Sequence, residues 1–391
     1  PVGAFLSGGV DSATIVTGMC RFGVGTRAMT QTVGFNEADH DERTAAAEVA
    51  SLLGTDHREL VVRADAAGTL QRLIRHFDEP FADSSCIPTF YLAQATRERV
   101  KVALSGDGGD ELLGGYRRYR FDVAEARLRR AIPGFLRRPI ASALGAIYPK
   151  ADWLPRPLRA KRTLQNLACD DVTAHLRSVA LCAGELPGQL LRAEVVQASA
   201  GYDAFDRARQ LYAAYRTADP LARVLYLDAR TLLPDDMLTK VDRASMAVGL
   251  EVRTPLLDYR LVECVARLPS PQRMGKRVLR DLLARWCSPQ IAARPKKGFS
   301  VPVDAWFRGP LREMMHDHLL SHSAGIRRWL QPTMVARLVR DHERGLSNHG
   351  HVLFALLSLE LWAQAYLVRP STVRMERWLR PACQHEVCAA Q

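Results

Sequence analysis

The sequence predicts an α/β protein built on a doubly wound parallel sheet with large helical elaborations and a helical C-terminal part. Two observations lead there. Roughly the first 115 residues alternate strand-like and helix-like stretches, and two of the strand-like stretches run directly into Gly-rich turns, SGGVDS at 7–12 and SGDGGDE at 105–111. A third feature sets the scale: from about residue 219 to 368 the pattern is helical, far more chain than a minimal sheet domain needs.

Taken in order, residues 3–6 are an apolar strand ending in SGGVDS, and 13–21 read as a helix. A second strand covers 27–35. A helix over 39–53 follows, with Asp39 or His40 near its N-cap and Gly54 as its stop. Residues 57–62 form a third strand, and two helical stretches come next, the second at 85–99. The fourth strand, 100–104, ends in SGDGGDE. Residues 121–215 are Arg-rich and helical in pattern, broken by prolines such as those of LPRPLR at 154–159, and carry no legible chemistry. The expected layout is one domain over 1–368: a nucleotide-binding core at 1–120, a helical elaboration at 121–215, and a mostly helical part at 216–368 that completes the site. Residues 369–391 read as a tail.

Composition narrows the function. The chain has 391 residues, 47% apolar and 25% charged, as ordinary globular proteins do. Its net charge of +12 comes almost wholly from arginine. Without a basic block interleaved with aromatics, that charge argues for no nucleic-acid partner. The eight cysteines include no C-x-x-C pair, which fits reduced thiols in a cytoplasmic enzyme. The apolar run 351–368 nears membrane-spanning length, but His351, Glu360 and Gln364 interrupt it, so it reads as a buried helix and no membrane partner is expected. The chain opens on Pro1 and runs at once into a strand, and is expected to continue a longer protein.

The chemistry concentrates in the two turns. A strand–turn–helix such as Ser7-Gly8-Gly9-Val10-Asp11-Ser12 offers backbone N–H groups and a positive helix end to an anion. It lacks the spacing and the lysine of a Walker A loop, which suits pyrophosphate release better than γ-phosphoryl transfer. Asp11 would repel phosphates unless a divalent cation intervened, so it is read as a Mg²⁺ ligand. Ser105-Gly106-Asp107-Gly108-Gly109-Asp110-Glu111 repeats this logic with three acids in five residues. If the first and fourth strands are neighbours at the switch point, Asp11 and Asp110 face one another across one pocket. In RPKKGF, at 294–299, a Pro- and Gly-braced lysine could reach an α-phosphate. The charged run at 235–258, with Lys240, Asp242, Arg243, Glu251 and Arg253, reads either as a buried ion-pair frame or as ligand contacts.

These blocks, together with DEPFADSSCIPTFYLAQATRE, DDMLTKVDRASMAVGLEVRTPLLD and RPKKGFSVPVDAWFRGPL, resemble the successive blocks of the glutamine-dependent asparagine synthetases, in register from residue 1 to about 368. The resemblance implies an ATP-pyrophosphatase domain using ATP and Mg²⁺, with nucleotide contacts at Leu6, Ser7, Gly8, Gly9, Asp11, Ser12, Val33, Ser105 and Gly106. Asp11 and Asp110 are read from their charge as the metal ligands, and the resemblance implies a part for Asp107 in forming an aspartyl-adenylate and a catalytic part for Lys296 rather than Lys297. Aspartate and ammonia are the implied substrates. A glutaminase domain is implied upstream, and the surface left to meet it is expected to favour self-association, a homodimer included. Relatives on the same scaffold that amidate or cyclise another carboxylate are the alternative. The sequence departs from the family at Leu112-Leu113, where an aromatic is common at the second position. It also departs in a short 269–280 segment, which leaves the role of Lys276 open.

Overall fold

Five parallel strands, β1 (Val2–Phe5), β2 (Met29–Gly34), β3 (Asp56–Val61), β4 (Val102–Leu104) and β5 (Glu251–Arg253), pair in the order β3-β2-β1-β4-β5. The computed structural model describes residues 1–23, 27–34, 41–62, 66–148, 161–182, 184–295 and 301–367. The chain winds outward from β1 to β3, then returns to place β4 on the other side of β1. The switch point therefore lies between β1 and β4, as the spacing of the two Gly-rich turns requires.

Successive residues of β1 serve opposite faces, because strand side chains alternate. Ala4 and Leu6 pack with residues of α1 (Val10–Phe22) and α2 (Arg43–Leu53) and with Leu279 and Leu283 of helix Arg277–Trp286. Phe5 faces the other side, with Ala93, Val100, Ala103 and Leu250. Helices cover both faces, so the sheet is doubly wound. The strand and helix order of the core follows the sequence reading, and Gly54 ends α2 in the left-handed conformation at φ +65°. The described part of α2 begins at Arg43; Asp39 and His40 lie outside the described residues.

β5 is a correction. Residues 219–368 read as helical apart from loops near 295–302 and 347–350, yet Glu251–Arg253 joins the sheet, with Glu251 N–H donating to the Lys101 carbonyl (3.0 Å) and Ser105 N–H to the Arg253 carbonyl (2.8 Å). Three residues are too few to carry a period of two. The strand matters here because it fixes the start of the second Gly-rich turn.

A larger core lies beside the sheet. α3 (Ala66–Phe77) and α4 (Cys86–Arg97) pack there with segments of 301–361, including helix Gly350–Tyr366. That helix is the apolar run weighed against a membrane span. Its interrupting Glu360 is fully buried and accepts hydrogen bonds from the Gly325 and Ile326 N–H groups (2.9 and 2.8 Å). No helix among the described residues is long and apolar enough to cross a membrane.

After α5 (Gly109–Leu112) and α6 (Arg117–Ala131), the elaboration docks through buried charge. His175 Nδ1 lies 2.9 Å from Asp122 and Nε2 lies 2.7 Å from Asp228. The other Asp228 oxygen accepts from Arg118 and Tyr119, each at 2.6 Å. Burial alone would lower the His175 pKa. The two carboxylate hydrogen bonds outweigh it and raise the pKa to about 9. A group raised in the folded state stabilises fully below its ordinary value of 6.5 and loses that contribution as pH rises through about 9. The shift corresponds to roughly 3 kcal/mol. Denaturant unfolding of the native protein should weaken across this window, and His175→Gln should flatten the slope. Parallel pH profiles for the two proteins would contradict the assignment.

Candidate active site

Leu6 leaves β1 with its N–H on the Gln31 carbonyl (3.0 Å), and Ser7-Gly8-Gly9 then turns the chain into α1. Two hydroxyls fasten this turn. Ser12 Oγ accepts from the Ser7 N–H (3.2 Å), lies 3.0 Å from Ser7 Oγ, and donates to the Gly9 carbonyl (3.3 Å). The loop is thus held open at the N-terminus of a 13-residue helix, where amides and helix dipole favour an anion. Asp11 sits in the first turn of that helix.

The second turn leaves β4 and lies against the first. A Cβ at Gly106 would fall 2.8 Å from both the Asp11 Cβ and the Ser12 N, closer than any side chain tolerates. Glycine is required there because two loops touch. Ser105 Oγ donates to the Asp107 carboxylate, and Asp110 lies buried in α5.

The residue that joins the turns is Lys276. The backbone at 275–276 pairs with 113–114, with Gly275 N–H on the Gly114 carbonyl (2.9 Å) and Lys276 N–H on the Leu113 carbonyl (2.8 Å). Lys276 itself adopts φ +62°, a left-handed conformation that costs a side-chain-bearing residue energy. Its side chain is 3% exposed and its ammonium pairs with Asp11 and with Asp110, the latter at 2.6 Å. Asp11 and Asp110, expected to face one another across one pocket, meet there, and the positive charge between them is the Lys276 ammonium. Gly115 makes room for it: a Cβ there would fall 2.1 Å from Lys276 Cε. The signal available in the sequence was the Gly-Lys pair itself, set beside a shortened segment.

Around this centre is one cavity of about 410 Å³. It is lined by Leu6, Ser7, Gly8, Gly9, Asp11, Ser12, Val33, Ser105, Gly106, Asp107 and Asp110, so every described site residue expected from the sequence meets in one place. Lys296 and Lys297 lie outside the described residues. Arg294, just before them, donates to the Gly8 and Ala45 carbonyls (3.1 and 3.0 Å), which ties the start of RPKKGF to the first turn.

The rest of the wall brings Lys240, from the charged 235–258 run, together with residues not assigned from sequence. Lys240, 10% exposed at its side chain, reaches Asp83 at 2.8 Å. Burial opposes charge on both, yet the pairing and the Ser85 hydrogen bonds leave the Asp83 pKa lowered and that of Lys240 raised. Burial, then the Asp83 charge, raises Asp236 to about 6. Glu111 is likewise raised to about 6 by burial, and accepts from Tyr116 Oη at 2.6 Å. As a buried ion-pair frame, the 235–258 run holds only at Lys240. Asp242 and Arg243 are exposed, and Glu251 pairs with Arg253 on the surface (2.7 Å), because β5 is an edge strand. Among the described residues no group of three or more His, Cys, Asp or Glu is gathered as a metal centre.

The asparagine synthase family model matches residues 1–364. The chain belongs to the asparagine synthase family. A Mycobacterium tuberculosis protein named "Putative asparagine synthetase (glutamine-hydrolyzing)" is 33% identical over 378 residues, covering 95% of this chain and 55% of that protein. Asparagine synthetase (glutamine-hydrolyzing) 1 of Bacillus subtilis is 26% identical over 367 residues, 93% of this chain and 56% of its own length. The amidase chry2 of Gibberella zeae is 24% identical over 357 residues, 81% of this chain and 51% of its own. The chain thus spans about half the length of these relatives.

Removing the Lys276 charge strands the buried Asp110 and the partly buried Asp11 carboxylates without their shared partner. Lys276→Met should cost about 3–5 kcal/mol in denaturant unfolding. Adding Asp11→Asn to it should recover part of that loss. A Lys276→Met protein as stable as the native one would remove the ammonium from its bridging position.

Proposed function

We propose that this chain activates a carboxylate with ATP and transfers nitrogen to it, and that the carboxylate is the side chain of aspartate. The observation that carries this reading is the convergence of both Gly-rich turns, with Asp11, Asp110 and Lys276, on one cavity in a family named for asparagine synthesis. A carboxylate resists nucleophiles because it is an anion. Its oxygen attacks the α-phosphorus of ATP, the bond from that phosphorus to the bridging oxygen breaks, and pyrophosphate leaves. The amides and hydroxyls of Ser7–Ser12 receive the phosphates, and Lys276 holds positive charge beside them. Ammonia then attacks the acyl carbon, the acyl–oxygen bond to AMP breaks, and the amide nitrogen gives up a proton. Alignment and charge stabilisation account for the catalysis, with no covalent enzyme intermediate.

Mg²⁺ fits this donor set. Asp11 and Asp110 already converge on one positive charge, and two carboxylates with substrate phosphates are the usual company of this ion. Bound there, it would neutralise charge on the phosphates. Asp107 stands on the same wall, where the family resemblance ties it to the adenylate. Lys240 and Asp83 offer a cation and an anion to the remaining charges of an amino-acid substrate. Lys296 is the lysine proposed to reach the α-phosphate.

Amidase-named relatives support a second reading, in which the scaffold amidates a different carboxylate. Exchange of labelled pyrophosphate into ATP, run over a panel of carboxylic acids, separates the two. Aspartate should drive exchange, and ammonium should then yield asparagine, AMP and pyrophosphate. Exchange driven by another acid, with aspartate inert, selects the second reading. Lys296→Ala should lower the rate by about 100-fold or more with modest change in ATP affinity, while Lys297→Ala stays near native. The opposite ranking would shift the proposed register by one residue.

A further inference from the structure

Helix α1 and helix Arg277–Trp286 lie side by side and run the same way. At their starts Lys276 pairs with Asp11. At their ends the Phe22 and Trp286 rings meet edge to face, 5.5 Å between centroids, and the Arg21 guanidinium lies 5.4 Å over the Trp286 ring. Between these contacts Ala13 and Val16 share one buried cluster with Leu279 and Leu283. Residues four apart lie one above another on a helix, so the next layer of this seam, after Val16 and Leu283, falls at positions 20 and 287. Both are cysteines. Cys20 belongs to α1, and the Cys287 N–H donates to the Leu283 carbonyl at 2.8 Å, which keeps Cys287 on the last turn of the second helix.

Cys20 is exposed and Cys287 half-buried, so a small oxidant reaches the first thiol while the second waits behind it. Burial, followed by the charge of Cys287, pushes the Cys20 thiol above its ordinary range, so each sulfur lies in the other's field. A raised thiol is not poised as a catalytic nucleophile and suits slow exchange. We propose that Cys20 and Cys287 are a redox dithiol, whose disulfide locks together the two helices that position Asp11 and Lys276. The oxidant is a small disulfide of the glutathione class. The Cys20 thiolate attacks one of its sulfurs, forms a mixed disulfide and releases one glutathione thiolate. The Cys287 thiolate then attacks the Cys20 sulfur, the mixed bond breaks, and the second glutathione thiolate leaves. The released thiolates take up the two protons that the cysteines gave off, and two electrons pass from the protein to the oxidant. In a reducing compartment such a bond is transient and reports the redox state. It forms at the ends of the helices away from the cavity and does not depend on which carboxylate is amidated.

Mass spectrometry of the 391-residue protein after incubation with glutathione disulfide, alkylation and digestion tests this. A peptide linking Cys20 to Cys287 should dominate, and dithiothreitol should remove it. Cys287→Ser should instead stop at glutathione held on Cys20. The linked protein should unfold at a higher urea midpoint than the reduced one, because the bond restrains the unfolded chain. That rise should vanish on reduction and be absent from Cys20→Ser. Neither cysteine lines the cavity, so reduced Cys20→Ser and Cys287→Ser should match the native protein in circular dichroism and in pyrophosphate exchange. Glutathione retained on Cys20 of the native chain without the link overturns the proposal. So does Cys20 linked to another cysteine, or a Cys20–Cys287 link that leaves the urea midpoint unmoved.

Discussion

Two carboxylates from different crossovers of the sheet, Asp11 after β1 and Asp110 after β4, share the buried ammonium of Lys276, and the rest of the site is arranged around that contact. Neither turn could approach the other with its acids unbalanced, since like charges at such range in a desolvated place are costly. The lysine arrives from a segment more than 150 residues later in the chain and adopts a left-handed backbone to do so. Gly106 and Gly115 leave the space that the approach needs. Strain in one residue and the loss of two side chains are thus tied to a single electrostatic requirement.

The second charged layer links this centre to the elaboration. Glu111, beside Asp110, takes the Tyr116 hydroxyl, and the Arg118 guanidinium lies 3.9 Å over the Tyr116 ring. Arg118 and Tyr119 meet Asp228, which His175 joins from the far side. A continuous chain of hydrogen bonds and one cation–π contact therefore runs from the cavity wall into residues 171–179. Such buried networks hold a shape when every member is satisfied. The cavity wall at Glu111 and Tyr116 is braced by a part of the chain with no motif of its own.

What could be read from the sequence follows from how local the signal was. The strands and helices of the first 115 residues are set by short apolar runs and by Gly-rich turns, and both Gly-rich turns fall where their spacing puts them. The meeting of Asp11 and Asp110 required only that β1 and β4 be neighbours, which the winding rule makes natural. Lys276, Lys240 with Asp83, and the Glu111–Tyr116 pair stayed hidden because each depends on contact between distant segments. Partner identity, unlike periodicity, leaves no trace in a single chain. β5 escaped for another reason: three residues on an edge strand show no alternation. The charged run at 235–258 misled because one turn of it faces the cavity while its neighbours face water.

Titration of ATP into native protein and into Lys276→Met, both in excess Mg²⁺ and both checked for folding, tests the central role of this ammonium most directly. The account predicts that the native chain binds ATP and that the variant binds it at least about tenfold more weakly, with Lys297→Ala unchanged. Native affinity for ATP in a folded Lys276→Met protein would contradict it.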